Sequence, residues 1–97
     1  MIRRKMMTEY SLLLRIVTPG GDKVLGKFFL GQSRETAYAL YKQLHGTEAV
    51  EPHHIIFFDF IETKNGLPLD LKLLACDLEQ AALNVKIIVK DLFKNSL

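Results

Sequence analysis

The sequence predicts an α+β domain of order ββαββα, a four-stranded antiparallel sheet with two helices on one face. Three observations carry this. First, a unit of strand, strand and helix recurs. Laying residues 10–46 on 54–90 without a gap pairs Val17 with Ile61, Leu25 with Leu69, Phe29-Leu30 with Leu73-Leu74, and Glu35 with Glu79. The match is one of residue character, and periodicity of this kind speaks to architecture before any site is considered. Second, Asn65-Gly66 is the preferred two-residue hairpin turn, because both central positions of a type I′ turn need positive φ. Third, Ser33 and Asp77 occupy the same position in each unit, and both are good helix N-caps.

Residues 10–18 are rich in aliphatic and β-branched side chains and stop at Pro19-Gly20-Gly21-Asp22, a strong turn signal. Residues 23–30 return as a second strand, with the turn centred on Gly20-Gly21 or Gly21-Asp22. From Ser33 a helix runs to about residue 45, with Ala37, Leu40, Tyr41 and Leu44 on one face. A polar link over 47–53 leads to a third strand, 54–63, and a fourth follows over 67–76. Asp77 and Gln80 form a capping box that opens the last helix. Its buried stripe is Leu78, Ala81, Val85, Ile88 and Leu92. Residues 85–89 (VKIIV) also suit a strand, which would make the chain a ferredoxin-like βαββαβ core with an extra N-terminal strand.

Ninety-seven residues support one domain with a modest core. We expect a disordered basic lead over 1–8 and a single domain over 9–97, its two units spanning 10–46 and 54–95. A net charge of +2 and 25% charged residues give no reason to expect nucleic acid or a membrane surface as partner. Cys76 is the single cysteine, which excludes an internal disulfide and fits a reducing, cytoplasmic setting. No apolar run is long enough to span a bilayer.

Extending the register from the Asn65-Gly66 turn sets Phe60 opposite Leu71, Phe58 opposite Leu73, and Asp59 opposite Lys72 on the other face. In the first hairpin Leu12, Leu14, Ile16, Leu25 and Phe29 point toward the helices, and so, discordantly, does Lys27. The outer face then carries Leu13, Arg15, Val17, Val24, Phe28, Ile55, Phe57, Asp59, Ile61, Lys72 and Leu74. A solvated face of an antiparallel sheet should alternate apolar with polar. This one does not, and it exceeds what monomers ordinarily expose. We therefore expect a homodimer formed through the outer face, working as a non-enzymatic interaction or regulatory module. A protein partner or a small ligand in an apolar pocket, held by Arg15, Asp59 and Lys72, is the alternative. RNA stacked on Phe28 and Phe57 comes third, since two acids, Asp59 and Asp70, share that face.

Motifs for chemistry are weak. His45, His53 and His54 lie near Glu48 and Glu51, yet adjacent histidines in extended chain point apart, so no metal site is expected. Cys76 lacks a partnered base and reads as a small buried residue. Lys86, Lys90 and Lys94 form the solvated face of a helix. Gly20-Gly21 lies between strands and lacks nucleotide-loop spacing. No enzyme activity and no cofactor are expected.

Overall fold

The computed structural model describes residues 7–95. Six elements follow in order: β1 (Thr8–Thr18), β2 (Gly21–Gly31), α1 (Arg34–Tyr41), β3 (Ile56–Lys64), β4 (Leu67–Cys76) and α2 (Leu78–Asn95). The order is ββαββα. Residues 85–89 lie inside α2, which excludes the ferredoxin-like alternative. The decisive local cause is the capping box. Asp77 N–H donates to Gln80 Oε1 at 3.0 Å, and Gln80 N–H donates to Asp77 Oδ1 at 2.7 Å. From that start the apolar spacing runs on at helical period, and Ala81, Asn84 and Ile88 are buried.

Helix α1 is shorter than expected. Ser33 Oγ accepts from Thr36 N–H at 3.2 Å, but the helix ends at Tyr41 and tightens into 3₁₀-type bonds, Gln43 N–H to Leu40 O and Leu44 N–H to Tyr41 O. The expected lead over 1–8 is described only from residue 7. Residues 1–6 fall outside the described part, whereas Thr8 opens β1 opposite Lys64 and Met7 O accepts from Asn65 N–H at 2.8 Å.

All strand pairs are antiparallel and the sheet order is β2-β1-β3-β4. The first strand of each hairpin is therefore central. Leu14 pairs directly with Phe58, and Arg15 and Asp59 bond across the same strand pair at a separation of 44 residues. Both helices pack on one face, where Tyr10, Leu12, Phe58, Phe60 and Leu74 meet Ala37 and Leu40 of α1 and Ala81 and Ile88 of α2. Tyr41 stacks on Phe60 at 4.8 Å, and Tyr38 meets the same ring edge-on at 4.9 Å.

Three bulges overturn part of the expected register. Each hairpin starts with the expected parity. Asn65 and Gly66 have φ of 54° and 81°, and Lys64 pairs with Leu67. The first turn is centred on Pro19-Gly20, since Thr18 pairs with Gly21. Then Leu25, Leu30 and Leu69 each enter as an extra residue without a partner opposite. One inserted residue sends every later side chain to the other face. Hence Phe58 pairs with Leu74 and Phe60 with Lys72, while Leu12 pairs with Phe28. Phe28, Lys72 and Leu74 thus face the helices, contrary to expectation, and Leu74 is a core residue. Phe29, Leu71 and Leu73 take the outer face in their place. Lys27 sits beside Leu13 on the outer face and is exposed, which removes the anomaly of an inward lysine.

Candidate interaction face

The two central strands supply the middle of the outer face: Ser11, Leu13, Arg15 and Val17 from β1, and Phe57, Asp59 and Ile61 from β3. At its centre Arg15 binds Asp59 with two parallel bonds, Nε to Oδ2 at 2.8 Å and Nη2 to Oδ1 at 3.1 Å. The remaining guanidinium nitrogen reaches Asp22 at 3.1 Å across to β2. The same guanidinium lies 4.6 Å over the ring of Phe57. Fork-to-fork geometry and a ring beneath the plane are what arginine offers and lysine does not. Hydrogen bonding to Asp59, with burial opposing it, raises the Arg15 pKa above its ordinary value. Asp59 and Phe57 are almost inaccessible, at 7% and 6% exposure, because Arg15 covers them.

Around this centre the face is apolar and open. Val24, Phe29, Ile55 and Leu71 are exposed, and Leu13, Val17, Ile61 and Leu73 are partly so. No helix crosses it, since both lie on the opposite side. Of the expected site residues, Leu13, Arg15, Val17, Val24, Ile55, Phe57, Asp59 and Ile61 come together here. Phe28, Lys72 and Leu74 do not. The expected Asp59–Lys72 pair is absent because the Leu69 bulge sets Leu73, not Lys72, opposite Asp59. Asp22, Phe29, Leu71 and Leu73 were missed. For Phe29 and Leu73 the signal is the apolar doublet: Phe28-Phe29 and Leu73-Leu74 offer either member to the core, and only a bulge decides which is buried.

The helix-facing side holds polar contacts of a structural kind. Glu62 is buried, accepts from Tyr10 Oη at 3.1 Å and meets Arg34 Nη1 at 3.3 Å. Burial and the Glu62 carboxylate raise the Tyr10 pKa. Asn84, wholly buried, accepts from His45 N–H and donates to His45 O, both at 2.7 Å, while contacting Cys76 Sγ at 3.4 Å. Cys76 donates its thiol hydrogen to His45 O at 3.1 Å, and burial pushes its pKa up to about 11. Such a thiol is the inert kind, far from the thiolate a nucleophile needs.

The rings of His53 and His54 lie 4.2 Å apart at a tilt of 40°, but no group of metal-ligating side chains assembles among the described residues. Lys86, Lys90 and Lys94 are exposed on α2. Among the described residues no helix is long and apolar enough to cross a membrane. No known protein family matches the chain, and no curated protein or solved structure is significantly similar to it.

Proposed function

We propose that the protein is a small, non-enzymatic, cytoplasmic interaction or regulatory module that works as a homodimer through its outer sheet face. The observation that carries this reading is an open apolar sheet face whose charged centre is already neutralised within one chain. Burying an unpaired charge at an interface is costly, whereas a bidentate pair with its donors engaged can be covered without a partner charge. The Arg15–Asp59 pair meets that condition, and the exposed Asp22 takes the remaining guanidinium nitrogen. A two-fold assembly, the commonest oligomer geometry, then needs only a self-complementary apolar surface. RNA is a poorer occupant, because the guanidinium is engaged by two carboxylates and Phe57 lies beneath it. We also read the chain as two copies of one ββα unit. The direct pairing of Leu14 with Phe58, which hold the same position in each unit, supports this.

Solution mass by size exclusion with light scattering tests the dimer. The wild-type chain should elute at twice its 11.1 kDa mass. Phe29→Asp and Leu71→Asp, both at exposed outer positions, should give folded monomers. Dimers persisting in both variants, or a monomeric wild type at high concentration, would overturn the reading.

A further inference from the structure

A second site lies at the end of the sheet away from the outer face's centre, where α2 begins. It has two adjoining compartments. One is a trough of about 220 Å³ between α2 and the β1–β2 hairpin, lined only by apolar residues, among them Leu14, Ile16, Leu25 and Ala82. The other is a basin of about 510 Å³ that includes Thr47, His54 and Gln80. Ile56 and Leu78 line both, so the two meet at these side chains.

Three side chains of the basin have hydrogen-bond donors to spare. Thr47 Oγ1 accepts from Ala49 N–H at 3.0 Å, which leaves its hydroxyl hydrogen to donate. His54 Nδ1 accepts from Glu51 N–H at 2.9 Å, so the neutral ring carries its proton on Nε2. Gln80 Oε1 accepts from Asp77 N–H at 3.0 Å, leaving the amide NH₂. Three lining side chains thus have an acceptor consumed by the fold and a donor to offer. Asp77 is the one carboxylate in the lining, and its Oδ1 is held by Gln80 N–H as the cap of α2.

We propose that this groove binds a single-chain aliphatic carboxylate, its tail in the trough and its carboxylate on the donors of the basin. An all-apolar wall has no use for a polar tail, and spare side-chain donors lining one basin suit an acceptor-only head. The proposal does not rest on the dimer, since Ala82 and Gln80 are on α2, across the sheet from the outer face, although Ile55 of that face also lines the basin.

Calorimetric titration with hexanoate, octanoate and octanol, below their aggregation concentrations, tests it. Octanoate should bind with one-to-one stoichiometry, tightening about fourfold per methylene over hexanoate. Ala82→Phe, at an exposed helical position, fills the trough and should abolish binding of both octanoate and octanol. Gln80→Glu keeps the capping-box acceptor but replaces the NH₂ donor with a negative charge. It should weaken octanoate at least about tenfold while leaving octanol within about twofold. Unchanged melting temperatures establish that both variants are folded. No octanoate binding, equal affinity for hexanoate and octanoate, or insensitivity to either substitution would overturn the proposal.

Discussion

Asn84 and Cys76 show how single side chains close this fold. Asn84 grips the backbone of His45 from both sides and ties the chain after α1 to α2. Cys76 adds a third bond to the His45 backbone, the second to its carbonyl. Because burial raises the thiol pKa from 9.0 to about 11, the folded state holds its proton more tightly than the unfolded state does. The associated stability is fully present below pH 9 and is lost as pH rises toward 11. Urea denaturation across that window should show stability falling with pH. Cys76→Ala should remove this part of the slope. A wild-type slope equal to that of the variant would refute the assignment. Neither bond network was legible in the sequence. Asn84 reads there as one more polar helical residue, and nothing local links it to His45, 39 positions away.

The elements themselves were largely legible. Strong local chemistry marks them: Asn65-Gly66 for the second turn, Ser33 and Asp77 for the helix starts, and continuous helical spacing through α2. Side-chain facing was not, beyond the residues nearest each turn. Leu25 and Leu69 bulge, and neither is distinguishable from an ordinary strand leucine by alternation alone. The outer face was therefore legible along β1 and β3, where no bulge intervenes, whereas Phe28, Lys72 and Leu74 turn to the other side. A junction outside the regular elements matters as well. Gly46 passes so close to β4 that a Cβ there would lie 2.5 Å from Ala75 O and 2.9 Å from Leu74 Cγ. Both neighbours are buried and one is backbone, so neither yields easily. Gly46→Ala should cost about 1–3 kcal/mol, measured by chemical denaturation. A change within about 0.5 kcal/mol would show that the 45–55 segment relaxes away from the sheet.

For the whole molecule, two helices on one side of a four-stranded sheet leave the other side bare. If that side closes on a second copy, folding and association are linked. Anything that binds only the folded chain raises its apparent stability with concentration. The melting temperature of the wild type should thus rise across a hundredfold dilution series read from low to high. Phe29→Asp should melt at one temperature throughout. A concentration-independent wild type would separate the exposed face from self-association.

The bulges have a further consequence. A sheet ends in two strands with unsatisfied backbone groups along one side, and such borders invite endless addition of like strands. Here β2 is interrupted at Leu25 and Leu30, and β4 at Leu69. Pro68 brings no N–H to β4, and near its other end Thr47 already exchanges both backbone bonds with Ala75. These interruptions disfavour growth strand by strand at both borders. If a second copy covers the bare apolar face, that assembly is of a different kind, since stacking face to face ends once two faces have met.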